Sequence, residues 1–508
     1  MKRYGLGALL AGGWLAALVA CSAGPPADPG SLHLRVVATH DFHGALRPTT
    51  YPWSNGRPVG GAAALKTVVD RAEAACACPT VRLDGGDQMQ GTLESNLARG
   101  ESVVAAFNLL ELDAAAVGNH ELDWGVETLL LRQSEADYAW LAANVFRADT
   151  GERPEWATPF TIIERDEVKV AVIGYLTVNT PRTLRPEVTR PYEFRSGYQG
   201  IRDALDAARR TEPDFTILVA HAGGDCQGDM CMGEMVELAG ELPPDTVHLI
   251  VGGHTHAPGE GVVNAIPIVR PGAHGRAVAV VDLIRLADGT RTFQVARDIV
   301  YADAVEPDAA MAALLAPYKV QADAIGGMPV TTLGETLSSE DRRLGDLVAD
   351  AERLVAQADF AMHNPGGLRA DLLAGKVSYG DLYRVLPFGN IVVRLTLSGR
   401  QLRQVVEQAG RSYYFSNLQV AYDPNAPPGS RVVSLTFADG RPVLEDRTYT
   451  LATIDFLADG GGGFTMLQPL ARQSFGVTDL DALATLLRDL PAPVVVAEKR
   501  PTFAIRGE

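Results

Sequence analysis

The chain has 508 residues, 46% of them apolar and 21% charged, ordinary globular composition that excludes wholesale disorder, and its 51 glycines and 31 prolines are spread without period, which excludes a collagen-like chain. A formal net charge of −17 excludes general binding of a nucleic acid polymer, because a polyanion needs Lys and Arg to neutralise its phosphates. A small anion stays compatible if metal ions supply the positive charge.

Lys2 and Arg3 precede an uncharged apolar run from Leu6 to Val19, the layout of a secretory signal over residues 1–20. The run ends Leu18-Val19-Ala20-Cys21, which resembles the bacterial lipobox. That resemblance implies an exported protein held at the cell envelope by a lipidated Cys21, each buried CH₂ adding about 0.8 kcal/mol of membrane affinity. Residues 21–30, continuing as SAGPPADPG, read as a tether. Export brings an oxidising compartment. Cys226 and Cys231 flank the short loop CQGDMC and can close a disulfide. Cys76 and Cys78 are too near in sequence for an unstrained bridge of the ordinary kind, though they can pair with another segment, and a zinc site from these four cysteines is the alternative.

From Leu32 the chain alternates β-branched runs with helical stretches. LHLRVVATHD is a strand running into a polar loop, and Gly61 to Ala75 has helical spacing with Leu65, Val68, Val69 and Ala72 on one face. PTVRLDGGD, VVAAFNLLELDAAAVGNHELD, KVAVIGYLTV, FTILVAHAGGD and VHLIVGGHTH contain further apolar runs, most of them followed at once by Asp, His or Asn. Such runs are strands buried on both faces, and ligands gather at the loops after strand ends. An α/β catalytic unit is therefore expected over residues 31–303. Residues 306–325 read as a helix interrupted by Pro317, inside a connector over 304–330. A second α/β unit over 331–508 has helical Leu344–Gln357, strand-like DFAMHN, helical Leu397–Gln408, and strands at RVVSLTF, TYTLATIDFL and TFAIRG.

In chain order, the strand-end loops offer Asp41 with His43, Asp87, Asn119 with His120, His221, and His254 with His256. Asp and His with an Asn carbonyl suit a divalent metal, and the set suffices for two ions if one carboxylate bridges. A lone DxH or HxH pair is an ordinary loop feature, whereas five loops in register are not. THDFHG, GGDQMQGT, GNHELDWG, AHAGGD and GGHTH, in this order, resemble the signature blocks of the calcineurin-like metallophosphoesterases. GNHELDWG and the second unit narrow the resemblance to the bacterial 5′-nucleotidase/UDP-sugar hydrolase family.

The resemblance implies an α/β fold: a four-layer α/β-β-α metallophosphoesterase domain, a linker helix and a second α/β substrate-binding domain. It also implies two divalent metal ions, with Zn, Mn, Mg, Co and Fe not distinguished. One is held by Asp41, His43, Asp87 and His256, the other by Asp87, Asn119, His221 and His254, so that Asp87 bridges. Asp84 competes for that role, but Asp87 follows the Gly85-Gly86 pair that lets a loop approach a metal. Paired cations clamp a phosphoryl group and activate water for in-line attack. His120, next to Asn119, is assigned transition-state stabilisation or leaving-group protonation, with Asp123 orienting it. An N-cap before Trp124 is the other reading of Asp123.

In HNPGGLRADL, the residues Asn364, Gly366, Gly367 and Arg369 match the family's NGGGIR block, with Pro365 where the family has Gly. The glycines admit an anion to backbone amides and Arg offers a bidentate fork. VLPFGNIVV matches another block, with Asn390 as its polar contact or as a strand start. The family clamps a nucleobase between two aromatics; Phe464 in DGGGGFTML matches one, and for the other Tyr413, Tyr414 and Phe415 stand out of the family's register, with Phe415 the first choice and core aromatics the equal reading. In DGGGGFTML, Gly463 replaces the family's Asp. The expected activity is phosphate removal from nucleoside 5′-phosphates, with nucleotide-sugar pyrophosphates as a further class. The alternatives are a 2′,3′-cyclic nucleotide phosphodiesterase/3′-nucleotidase, a thiosulfohydrolase-like enzyme, and a non-enzymatic nucleoside- or metal-binding lipoprotein, which the full ligand set disfavours.

Overall fold

The computed structural model describes residues 30–227, 230–496 and 503–505. The predicted signal, Cys21 and the tether up to residue 29 lie outside the described residues. No helix among the described residues is long and apolar enough to cross a membrane.

Two six-stranded sheets build the first unit. One runs in the order Arg291–Ile299, Ala277–Arg285, Leu32–Thr39, Thr80–Asp84, Ala114–Ala116, Ala139–Leu141. The other runs Gly259–Val263, Ile266–Arg270, Leu249–Gly252, Phe215–His221, Val168–Leu176, Phe160–Arg165. Alternation along each strand explains the layering. Leu34, Val36, Val81 and Leu83 of the first sheet meet Val170, Val172, Ile217 and Val219 of the second in one apolar layer. Val37, on the opposite face, packs under the helices Ala62–Ala74 and Glu101–Leu109. Ile173, Leu218 and Ile250 do the same for Gly197–Arg209 and Glu234–Glu241. The result is helix, sheet, sheet, helix, the four-layer arrangement implied by the sequence. Within both sheets the central strands are parallel, Leu32–Thr39 to Thr80–Asp84 and Val168–Leu176 to Phe215–His221 to Leu249–Gly252. Their carboxyl ends, with the loops that follow, therefore share one edge.

The connector is one helix, Ala309–Gly326, started by the Asp308 side chain, which accepts from the Met311 amide at 2.7 Å. It runs on through Pro317 rather than breaking there, since proline withholds a single amide and Met311 and Leu315 anchor the helix in the first core. The second unit carries a five-stranded sheet, Tyr414–Ser416, Phe360–His363, Thr448–Ile454, Ile391–Ser398, Arg472–Thr478, and a three-stranded sheet, Val432–Phe437, Leu418–Tyr422, Phe503–Ile505. Helices Arg342–Ala356 and Asp479–Asp489 bury Leu344, Val348, Leu483 and Leu487 against the larger sheet.

One expectation fails here. Cys76 and Cys78 bond to each other, because the turn after Ala62–Ala74 brings their Cα atoms to 5.2 Å, within a disulfide's span. The ribbon Asp225–Gln227 with Met230–Met232 sets Cys226 opposite Cys231 in register.

Candidate active site

Five loops at the shared edge bear the predicted metal ligands. Asp41 and His43 follow Leu32–Thr39, Asp87 follows Thr80–Asp84, Asn119 and His120 follow Ala114–Ala116, His221 ends Phe215–His221, and His254 and His256 follow Leu249–Gly252. Asp41, His43, Asp87, His254 and His256 have φ of 47°, 50°, 56°, 75° and 55°, left-handed values that cost a residue with a Cβ about 1–3 kcal/mol. Left-handed residues with a Cβ also occur in turns elsewhere in the chain, but five of them fall together on the Asp and His side chains of this one edge. Two glycines make the closeness possible: a Cβ on Gly118 would lie 2.2 Å from Asp87 Oδ1, and one on Gly86 2.9 Å from His221 Nδ1.

The ligating atoms fall into two groups, Asp41 with His43 and His256, and Asp87 with His221 and His254, each within 4.8 Å. Asp87 faces both, its Oδ2 lying 3.7 Å from His43 Nε2 and 3.1 Å from His221 Nε2. Asn119 Oδ1 is also 3.1 Å from His221 Nε2. His43 Nδ1 donates to the Gln90 carbonyl at 2.8 Å and His221 Nδ1 to the Gly85 carbonyl at 2.9 Å, which turns both Nε2 atoms inward. Burial pushes His43 down to about 3 and His254 to about 4, so these imidazoles are neutral. His43 and His256 bring their Nε2 atoms to 2.9 Å. Converging lone pairs and carboxylates form a donor set that fits divalent cations.

His120 Nδ1 lies 2.9 Å from Asp123 Oδ2. Burial opposes the charged ring, but the Asp123 and Asp87 carboxylates outweigh it and raise the imidazole above its ordinary value. Asp123 is not an N-cap, because the helix Val126–Glu135 starts from Gly125. Asp84 stays outside both ligand groups. It accepts from the Gly86 amide at 2.9 Å and from Gln88 Nε2 at 3.2 Å, and so shapes the turn that delivers Asp87. Sequence reasoning passed over Glu121. Its carboxylate accepts from the amides of Asp87, Gln88 and Gly118 at 2.9, 2.7 and 2.7 Å, binding two ligand loops together. The signal was an acid within GNHELDWG that no other role claimed.

A cavity of about 540 Å³ opens over the edge, with the second unit as its other wall. Asn364, Gly366, Gly367, Arg369 and Asn390 all line it, opposite His120. Arg369 reaches the ligand groups, 3.2 Å from His256 Nε2 and 3.4 Å from His43 Nε2. The two expected base-clamping aromatics are not there. Phe415 is 2% exposed, facing inward on the strand Tyr414–Ser416, and Phe464 is 1% exposed in the same core. Tyr413 and Phe456 line the cavity instead, together with Phe388 and with Arg182 and Arg185 of the first unit. Phe464 backs Tyr413 edge-on at 5.1 Å. Phe456 follows the strand Thr448–Ile454 by two residues, so the strand-end rule that found the metal ligands points to it as well.

The family model for calcineurin-like phosphoesterases matches residues 34–258, and that for the 5′-nucleotidase C-terminal domain matches 324–469. Endonuclease YhcR of Bacillus subtilis is 27% identical over 92% of this chain, which spans only 40% of that relative's length. Protein UshA of Escherichia coli is 29% identical, over 85% of this chain and 86% of its own. A 5′-nucleotidase precursor from Thermus thermophilus superposes with a TM-score of 0.83 at 26% identity, covering 94% of this chain and 100% of that one.

Proposed function

The chain belongs to the calcineurin-like phosphoesterases that carry a 5′-nucleotidase C-terminal domain, metal-dependent hydrolases of phosphoesters, and we propose that it removes phosphate from nucleoside 5′-phosphates, with nucleotide-sugar pyrophosphates as a second substrate class. The supporting observation is one cavity that joins the Asp/His edge and the His120–Asp123 pair to Arg369 and the rings of Tyr413 and Phe456. Phosphate chemistry and a flat apolar base have separate partners on its two walls.

Asp41, His43, Asp87, Asn119, His221, His254 and His256 would hold two divalent ions, with the Asp87 carboxylate shared. Bound there, the ions supply positive charge for a phosphoryl group and activation of water. His120, shifted towards its protonated form by the Asp123 and Asp87 carboxylates, donates a proton to the departing ester oxygen or stabilises charge at phosphorus. Arg369 adds a cationic fork to the phosphate oxygens. Tyr413 and Phe456 hold the base, while Asn364 and Asn390 give polar contacts to the sugar side. Attachment to a bacterial membrane through lipidated Cys21 completes the reading: Cys21→Ser is expected to leave a soluble, active enzyme, and membrane retention of that variant would contradict it.

Hydrolysis of 5′-AMP, 2′,3′-cyclic AMP, UDP-glucose and a thiosulfate ester, followed respectively as phosphate, ring-opened nucleotide, UMP with glucose 1-phosphate, and sulfate, with and without chelator, tests the assignment. Chelator-sensitive hydrolysis of 5′-AMP ahead of the others is expected. Preference for the cyclic nucleotide or the sulfur ester would overturn the substrate class, and inertness towards all four would favour a binding protein.

A further inference from the structure

Behind the Asn364–Arg369 loop lies a charged cluster that takes no part in the chemistry above. Glu352 on Arg342–Ala356, His363 at the end of Phe360–His363 and Asp479 at the start of Asp479–Asp489 are each 0% exposed. His363 Nδ1 donates to Glu352 Oε1 at 2.7 Å. Asp479 Oδ2 accepts from Asn390 Nδ2 at 3.3 Å, and the Asp479 amide donates to the Asn390 carbonyl at 2.9 Å. From the helix Tyr379–Val385, the Tyr383 phenol is a further titratable group that feels Asp479. His363 Nε2 and Glu352 Oε2 have no hydrogen-bond partner among the described residues.

Three ionisable side chains in a dry core are costly, and removing one strands the others. Their placement suits a purpose. Asn364 follows His363 directly, and Gly367 rests on its ring so closely that a Cβ would come within 2.4 Å of Nε2. Asp479 grips Asn390 from the other side. The cluster thus backs both polar arms that the second unit extends into the cavity.

We propose that His363, braced by Glu352, is a positioning residue for substrate: with Asp479 holding Asn390, the trio fixes the Asn364–Arg369 loop and Asn390 in the geometry that binds a nucleotide. Its kinetic consequence rests on the nucleotide-hydrolase reading, while the ordering of the loop does not. Burial raises Asp479 to about 7, and although burial opposes the imidazolium, Glu352 and Asp479 together raise His363. Below about pH 7 Asp479 therefore carries a proton. Above it, a further negative charge develops beside Asn390.

The test compares the metal-loaded full chain with His363→Leu, His363→Asn and the double variant Glu352→Gln/His363→Leu, which removes both members of the buried pair together so that neither is stranded. Hydrogen exchange of the 361–370 segment and the KM and kcat for 5′-AMP are measured at pH 6 and pH 8. In the double variant the segment is expected to exchange about tenfold faster than in the parent with the neighbouring strands unchanged, and KM to rise about tenfold with kcat within about threefold. His363→Asn, which keeps a donor towards Glu352, recovers most of both. A double variant with the parent's exchange and KM overturns the proposal. A parent without nucleotide turnover overturns the substrate reading instead, and exchange alone then decides this one.

Discussion

Asp87 is the side chain on which both ligand groups depend, since its Oδ2 approaches His43 and His221 alike. Asp87→Asn is expected to lose bound metal from both positions, whereas Asp84→Asn, altering only a turn, retains it; metal content of the purified variants distinguishes them. His120→Ala is expected to keep its metals and lose about 10²–10⁴-fold in kcat. Asp479 gives a pH prediction. Burial raises its folded value to about 7 from 3.8, so between those values the folded chain holds a proton that the unfolded chain has released. The stability it contributes is present below about pH 4 and is lost as pH rises through about 7, by at most about 1.4 kcal/mol per pH unit. Asp479→Asn should therefore melt at a higher temperature than the parent at pH 8, with the gap narrowing towards pH 5. The sequence made the metal ligands readable because each follows an apolar run at once. Glu121 offered only its place within GNHELDWG as a signal, and Glu352 offered none, because an acid whose partner is a histidine distant in the chain leaves no local pattern.

Strands buried on both faces carry the ligand loops, so packing and site are coupled at the level of the element. Leu83, 0% exposed between the two sheets, immediately precedes the turn that delivers Asp87. Leu83→Ala is expected to cost about 2–5 kcal/mol, read by denaturant unfolding. In the second unit, Tyr413→Ala and Phe456→Ala should raise KM for 5′-AMP roughly 5- to 150-fold, the equivalent of about 1–3 kcal/mol of stacking, and leave a small aryl phosphate little affected. Phe464→Ala, a core truncation, should instead lower stability by about 3–5 kcal/mol. The alternation of apolar runs with helices gave the layers correctly. The facing of single aromatics was not legible: in Tyr413-Tyr414-Phe415 the strand's two-residue alternation decides which ring turns inward, and the strand begins only at Tyr414. The Cys76–Cys78 bond was missed for a similar reason, since the turn that closes it is a property of the chain after the helix rather than of the spacing.

At the scale of the molecule, the cavity exists because two units meet. Asn96 Nδ2 donates to the Tyr383 hydroxyl and to the Pro387 carbonyl, each at 3.0 Å, and Arg185 pairs with Asp455 at 2.9 Å across the same boundary. Arg384 adds a contact to Thr49 Oγ1 at 2.9 Å. Together with Arg369 at His43 and His256, these contacts hold the two walls of the cavity facing each other. The central claim is that the edge holds two divalent ions and that phosphate leaves a nucleotide only when both are present. It is tested most directly by titrating chelator-stripped protein with Mn²⁺ while following phosphate release from 5′-AMP. No release is expected from the stripped protein, and release should climb to a plateau at two ions per chain. Release without metal, or a plateau reached at one ion, would contradict the claim.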